Sequence, residues 1–159
     1  MFLEDVGDLF PWDVLCLQET FTNTEGIKLN ENLKHAIYTP AEKLGGLRVP
    51  AILVHERWSR FSRFLGSGKR WVAVKIHDMA FFSIHLPHAR SAGPTLQETL
   101  IEIDKFMDNL KCEKKFMGMD ANTRMHNCTD GESFGSSIPS AEEDPDRQTA
   151  VYEFFKKWQ

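Results

Sequence analysis

The segment that decides the fold is a short apolar run, Trp12-Asp13-Val14-Leu15-Cys16-Leu17-Gln18-Glu19. Residues 14 to 17 are continuously apolar, which is the pattern of a strand buried on both faces. The run stops at Glu19, a carboxylate at the predicted strand end. A lone Glu there is most often solvated. It can also be a ligand for Mg²⁺, which takes only one or two protein carboxylates and keeps several waters.

The remaining segments predict a mixed α/β order with several strands and one clear helix. Apolar runs predict strands at 47–54, 70–76, 79–86 and 116–119. The strands at 70–76 and 79–86 are separated by two residues and are expected to form a hairpin. Apolar residues at helical spacing predict a helix over 94–110, and 147–159 could form another.

Three further features qualify this pattern. Residues 20–40 are polar and turn-rich, and no strand is predicted there. Pro50 lies within a predicted strand and indicates an edge or an irregularity, because proline cannot donate to the ladder. Residues 125–146, rich in Gly, Ser and Pro, are expected to be a loop.

The composition fits one globular domain that has no strong net electrostatic field. The chain has 159 residues, is 42% hydrophobic and 26% charged, and carries a net charge of -4. It can therefore bury a core, and no global basic field draws it to nucleic acid. The three cysteines have no CxxC spacing, so no disulfide framework or zinc site is indicated. We expect an intracellular, soluble protein in a reducing compartment, with no membrane partner.

Polar side chains also follow two later predicted strands. His85 ends one strand, with His88 beyond it, and Asp120 and Asn122 follow another. Such positions are where α/β and sandwich proteins place functional groups. His85 could equally be a structural histidine, and the spacing to His88 is only a weak zinc pattern. Asp120 and Asn122 could serve a turn alone, since both residue types hydrogen-bond nearby backbone.

A basic stretch between positions 57 and 70 is the strongest candidate for binding nucleic acid. It contains five cations and no acid: Arg57, Arg60, Arg63, Lys69 and Arg70. Aromatic residues follow the first three, at positions 58, 61 and 64. Cations with interleaved aromatics suit a phosphate backbone and unstacked bases. A hairpin loop whose aromatics pack inward while its arginines stay hydrated would give the same pattern.

Together these segments resemble the endonuclease/exonuclease/phosphatase superfamily, the DNase I-like proteins. Residues 12–19 resemble its D-I/V-x-x-L-Q-E segment, 84–88 are similar to h-Y/H-x-P-N, and 117–122 resemble G-D-F-N. Their order agrees, and the predicted helix lies between the second and third. Residues 45–58, GGLRVPAILVHERW, resemble a segment of retrotransposon-type endonuclease domains.

The resemblance implies an α/β (α+β) fold, a two-sheet β-sandwich flanked by helices, incomplete at both ends over 1–159. It implies magnesium-dependent phosphodiester hydrolysis, with manganese as a possible substitute and DNA as the favoured substrate. Glu19 would hold the metal and Asp120 would orient and activate water. Asn122 would donate to a phosphoryl oxygen, and His85 would hydrogen-bond the phosphate.

Departures from the family pattern leave the activity open. Met119 replaces the Gly before the Asp, Ala121 replaces Phe, and His88 stands where many members have Asn. The family's Asn-bearing first strand and its late Ser-Asp-His segment have no match here. The chain is therefore expected to be part of a longer active domain. The alternatives are a non-catalytic retroelement-derived remnant and a phosphoinositide-type phosphatase of the same superfamily.

Overall fold

The computed structural model of the protein describes residues 12–20, 27–30, 35–41, 49–88, 93–122 and 145–158. It forms two compact units, the first from Met1–His85 and Lys111–Asp120, the second from Leu86–Leu110 and Ala121–Gln159. The assignment of 1–159 to one partial superfamily domain stays a prediction.

The described residues contain eight strands and three helices. The strands are β1 (Val14–Thr20), β2 (Ile27–Asn30), β3 (His35–Tyr38), β4 (Val49–Val54), β5 (Ser62–Gly68), β6 (Trp71–Ile76), β7 (Met79–His85) and β8 (Lys114–Asp120). The helices are α1 (Glu56–Ser59), α2 (Leu96–Asp108) and α3 (Pro145–Lys157).

The first unit is a sandwich of two four-stranded sheets, with strand orders β1-β4-β3-β2 and β5-β6-β7-β8. All described pairs are antiparallel except β7 with β8. The two sheets share one core, whose buried members are Ala36, Tyr38, Ile52, Val54, Val72, Val74 and Ile76. The predicted fold class, a mixed α+β two-sheet sandwich with helices, is confirmed.

The predicted hairpin is confirmed in the second sheet. β6 and β7 pair from Trp71 opposite Ile84 to Ile76 opposite Met79, and His77 and Asp78 form the turn. Because side chains alternate along a strand, the even-numbered residues of β7 face one way and His85 faces the other. Ser83 lies on the His85 side and donates to the Leu17 carbonyl of β1 at 2.7 Å. That side therefore faces the first sheet.

Two expectations for the first sheet are wrong. β1 is only half buried, because it is an outer strand that pairs with β4 alone among the described strands. Residues 20–40 also contain β2 and β3. These strands are four residues each, which is too short for an alternating pattern to stand out. The basic stretch is likewise not a single loop, since it contains α1 and β5.

The second unit contains the two long helices. α2 begins after Thr95, which forms a capping box with Glu98, so the predicted start is confirmed. Its buried face includes Leu100, Ile103 and Met107, as the helical spacing predicts. α3 begins two residues before the predicted range, at Pro145, a residue suited to the first helical position.

The two helices are joined near their C-termini by charged and aromatic side chains. The Lys157 ammonium donates to the Asp104 carboxylate at 2.8 Å and to Asp108 at 3.2 Å. The Trp158 indole donates to Asp104 at 3.0 Å. None of the helices in the described ranges is long and apolar enough to cross a membrane. Most of the loop predicted at 125–146 lies outside the described residues.

Candidate active site at three strand ends

Three of the predicted site residues meet at one end of the sandwich. His85 and Asp120 are direct partners in the parallel pairing of β7 and β8, so their side chains leave the sheet on the same face. The His85 Nε2 atom lies 3.9 Å from Glu19 Oε1, which comes from the opposite sheet. The Glu19 side chain is 46% exposed and that of His85 only 9%. A solvent-reaching carboxylate thus lies beside a buried imidazole, and a second acid extends from the neighbouring strand on the same face of the sheet.

A bulge in β1 turns Glu19 into this position. The pairing of β1 with β4 shifts register between Leu17 and Thr20, opposite Pro50. Proline has no N–H to offer, so the ladder is interrupted there, as the irregularity predicted at Pro50 requires. Within the bulge Glu19 has φ of 55°. This left-handed conformation is disfavoured for a non-glycine residue and tends to occur at functional sites.

Hydrogen bonds between the sheets hold the strand ends together. Gln18 Nε2 donates to Ser83 Oγ at 3.3 Å and to the Gly118 carbonyl at 3.2 Å. One side chain of β1 therefore joins both β7 and β8 just before their polar ends. Sequence reasoning treated Gln18 only as part of the Glu19 motif and missed this role.

Close packing at the same place explains the glycine of β8. A Cβ atom at Gly118 would overlap the Cβ of Cys16 and lie 3.3 Å from its Sγ. Burial raises the pKa of the Cys16 thiol to about 11, although a backbone hydrogen bond from Gly118 lowers it in part. The thiol is therefore protonated at neutral pH and is a packing group rather than a nucleophile.

Asn122 belongs to the second unit and is held by its loops. Its Nδ2 donates to the Leu86 carbonyl at 2.7 Å, and its φ is 48°. The buried Arg147 guanidinium donates to the Asn122 carbonyl at 3.2 Å. These hydrogen bonds fix both the side chain and the backbone of Asn122 within the loops of the second unit.

The predicted basic stretch is divided between the two ends of the sandwich. Arg57 lies within α1 and Arg60 directly follows it, next to the β6–β7 turn, whereas Lys69 and Arg70 form the β5–β6 turn near His85. β7 separates these ends by about 20 Å at ~3.3 Å per residue. Arg63 lies near the α1 end, where β5 begins.

Two of these cations are already engaged. Arg70 is only 3% exposed, and burial lowers its pKa. Its backbone carbonyl accepts the His85 N–H at 2.9 Å, so its position supports the site from within. Arg57 pairs with Asp13, which also accepts from the Trp58 indole at 2.5 Å. Although burial raises the pKa of Asp13, the hydrogen bonds from Trp58 and Arg57 lower it overall.

An aromatic cluster also forms at the α1 end. The rings of Trp58 and Phe61 approach His77 with centroid distances of 6.0 and 5.0 Å. The Arg60 guanidinium lies 4.6 Å from the centre of the Phe61 ring, which is 42% exposed. Trp58 and Phe64 pack against the shared core, so of the three interleaved aromatics Phe61 alone presents an exposed ring, with Arg60 beside it. This exposed pair lies at the opposite end from Glu19.

The donor set at the strand ends fits a hard divalent cation. Glu19 and Asp120 supply carboxylate oxygens, and Mg²⁺ needs one or two of these with the remaining positions filled by water or phosphate. Within the described ranges, no three His, Cys, Asp or Glu side chains are grouped as a ready metal cage. Comparison of the chain with protein-family models, with curated proteins and with solved structures found no significant match.

Proposed function

We propose that this chain carries the site of a magnesium-dependent phosphodiester hydrolase of the endonuclease type, with DNA as substrate and as part of a longer active domain. The proposal rests on the convergence of Glu19, His85 and Asp120 from three strand ends and two sheets. Convergence of this kind is unexpected for three unrelated strand-end residues, and their chemistry matches the resemblance of the sequence segments.

Each residue has a role that its chemistry allows. Glu19 would hold magnesium or manganese, which would supply positive charge to the phosphate and the leaving oxygen. Asp120 orients the attacking water and accepts its proton. His85 donates a hydrogen bond to a phosphate oxygen and so fixes the substrate beside Glu19.

Asn122 completes the proposal as a donor to a phosphoryl oxygen. This role follows from the resemblance of residues 117–122, in which the amide would stabilise charge as it builds on the phosphate. Lys69 is the predicted cation in the turn near His85 and is a candidate contact for the DNA backbone. Arg57, Arg60 and Arg63 lie about 20 Å from the His85 end of the sandwich. They would contact the same duplex roughly six base pairs away from the cleaved phosphate.

A substitution series tests the proposal. Glu19→Gln and Asp120→Asn are compared with the wild-type chain on plasmid DNA, an abasic-site duplex, RNA and inositol phosphates, with magnesium, manganese or a chelator. Each is expected to lower metal-dependent DNA cleavage by about 100-fold or more. Glu102→Gln makes the same change at an exposed position of α2 and is expected to leave cleavage unchanged.

Metal binding is measured separately from turnover. Manganese should broaden the NMR signals of the His85 ring in the wild-type chain and much less in Glu19→Gln. Turnover of inositol phosphates instead of DNA would overturn the proposal that the substrate is a nucleic acid. If manganese broadens no His85 signal and neither this chain nor a longer one cleaves any substrate, the proposed hydrolase activity is overturned. The non-catalytic alternative then remains.

A further inference from the structure

Gln18 joins three strands of the sandwich through a chain of hydrogen bonds. Ser83 Oγ of β7 donates its only hydrogen to the Leu17 carbonyl of β1 at 2.7 Å. Toward Gln18 this hydroxyl can therefore only accept, as can the Gly118 carbonyl of β8. The Gln18 amide nitrogen donates to both, at 3.3 and 3.2 Å. Position 18 thus needs a side chain with two hydrogens to donate, which a glutamate carboxylate cannot supply.

These bonds contact the second sheet just before the candidate site. Ser83 and Gly118 are direct partners in the pairing of β7 with β8, and His85 and Asp120 are the partners two residues further along. Side chains two residues apart leave the same face of a sheet, about 7 Å from each other at ~3.3 Å per residue. Gln18 therefore binds the second sheet on the face, and close to the end, from which His85 and Asp120 extend.

On β1, the same side chain holds one side of the bulge. The pairing with β4 shifts between Leu17 and Thr20, so Gln18 and Glu19 are the residues within the shift. A bulge leaves an unpaired residue in the ladder, and other contacts must hold it. Thr20 Oγ1 supplies one such contact by donating to the Val49 carbonyl at 2.7 Å. The hydrogen bonds of Gln18 and of the Leu17 carbonyl supply the contacts on the other side of Glu19.

The conformation of Glu19 makes this support necessary. Its φ of 55° is left-handed, and a residue with a Cβ keeps such a conformation only where its surroundings impose it. The Glu19 side chain is itself half exposed, whereas Ser83 is fully buried. Hydrogen bonds in a buried environment are electrostatically stronger than those in water. The bonds between Gln18 and Ser83 are therefore the better fixed part of this region, and the backbone of Glu19 follows from them.

We propose that Gln18 and Ser83 are positioning residues for Glu19, which fix the β1 bulge against β7 and β8 so that the carboxylate stays beside His85. The consequence for metal binding rests on the proposed function, whereas the effect on the conformation of Glu19 does not. Neither side chain is a metal ligand or a catalytic group. Loss of residues that orient a metal ligand typically weakens metal binding by about 10- to 100-fold.

The experiment uses two variants that break the chain of hydrogen bonds and two matched controls. Gln18→Met keeps the length of the side chain but removes both donated hydrogens, and Ser83→Ala removes an acceptor and the bond to Leu17. Gln97→Met makes the same change at an exposed position of α2. Ile52→Val shortens a fully buried side chain of β4 in the same core and so controls for a general loss of stability.

Two readouts are taken on each variant. The first is the NMR shifts of the Glu19 Cα and Cβ carbons without metal, which depend on the backbone angles φ and ψ. The second is the Kd of manganese, measured from the broadening of the His85 ring signals. Gln18→Met and Ser83→Ala should each move the Glu19 shifts and raise the manganese Kd by about 10- to 100-fold. The two controls should leave both readouts unchanged.

Unmoved Glu19 carbon shifts in Gln18→Met would overturn the proposal, whatever happens to metal binding. Shifts that move as far in Ile52→Val would also overturn it, because the effect would then follow from lost stability alone. If Ser83→Ala fails to fold, Gln18→Met, which changes a half-buried side chain, decides the question. If the wild-type chain binds no manganese and cleaves no substrate, the proposed function fails, and the Glu19 shifts alone decide the role of Gln18 and Ser83.

Discussion

Pro50 of β4 lies opposite the bulge in which Glu19 of β1 adopts a left-handed backbone conformation. Pro50, which cannot donate a ladder hydrogen bond, thus lies opposite the part of β1 from which the Glu19 carboxylate approaches His85. A strained backbone at a candidate metal ligand has a measurable consequence for stability.

Glu19→Gly should be more stable than Glu19→Ala, by about 0.5–1 kcal/mol. Glycine adopts a positive φ without a Cβ clash, which outweighs its greater freedom in the unfolded chain. Urea unfolding measures the difference. The same pair at Glu102, inside α2, is the control, and there glycine should be less stable than alanine by about 1 kcal/mol. Equal stability of the two Glu19 variants would contradict the bulge geometry.

Gly118→Ala should destabilise the fold by about 1–3 kcal/mol, because its new Cβ overlaps the Cβ of Cys16. Cys16→Gly removes that atom from the other side. In a double-mutant cycle by urea unfolding, the two changes should therefore be less destabilising together than the sum of the single effects, by about 1 kcal/mol or more. If the two changes in the free energy of unfolding are simply additive, the predicted clash between residue 118 of β8 and Cys16 of β1 is absent, and the close packing of these strands is contradicted.

His35 should make the fold less stable as pH falls. Burial and the neighbouring His55 lower its pKa, and Glu56 opposes them in part. Its Nδ1 accepts the Glu56 N–H at 3.2 Å, which a protonated Nδ1 cannot do. Trp12 packs on its ring at 4.8 Å. The unfolded chain therefore binds the proton more readily than the folded one below the ordinary pKa of 6.5.

The contribution of the neutral His35 side chain to the free energy of unfolding is fully present above its ordinary pKa of 6.5. It is lost as pH falls through the lower pKa that His35 has in the folded state. His35→Asn keeps an acceptor near the Nδ1 position but does not titrate. Urea unfolding from about pH 8 to about pH 5 should show a steeper loss for the wild-type chain than for His35→Asn. Parallel curves would rule out His35 as the cause.

Thr95→Ala should destabilise the second unit by about 1 kcal/mol, since Thr95 caps α2 and accepts the Glu98 N–H at 3.2 Å. Thr95→Ser, which keeps the hydroxyl, should lose much less. Hydrogen bonds from Thr95 lower the pKa of the Glu98 carboxyl. The stability that the Glu98 carboxylate contributes to the capping box is therefore fully present above the ordinary pKa of 4.5 and is lost as pH falls through the lowered pKa. Thermal unfolding followed by circular dichroism at neutral and acidic pH checks both statements.

Sequence patterns predicted the elements that have strong local signals. The β6–β7 hairpin, α2 with its cap and the apolar run of β8 follow from periodicity and turn chemistry that act over a few residues. β2 and β3 were missed because each has only four residues and forms through pairing with a neighbour, β2 with β3 and β3 with β4. The half burial of β1 likewise depends on which strand lies beside it.

The candidate site was predictable as a set of residue types but not as an arrangement. Glu19, His85 and Asp120 stand out because each ends an apolar run. Gln18 and Arg147 do not, since their roles depend on carbonyl groups far away in the sequence. The basic stretch shows the reverse error, because its cations were expected to act together, whereas β5 carries Lys69 and Arg70 to the opposite end of the sandwich from Arg57 and Arg60.

The parallel pairing of β7 with β8 bears on the order of folding. Gln18 and Gly118, which it brings within a hydrogen bond, are 100 positions apart in the chain. Contacts of such long sequence separation close large loops and form slowly compared with hairpins. The β6–β7 hairpin can therefore form early, while Glu19, His85 and Asp120 come together only when β8 docks. A chain still being synthesised would carry every one of these side chains before it possessed the site.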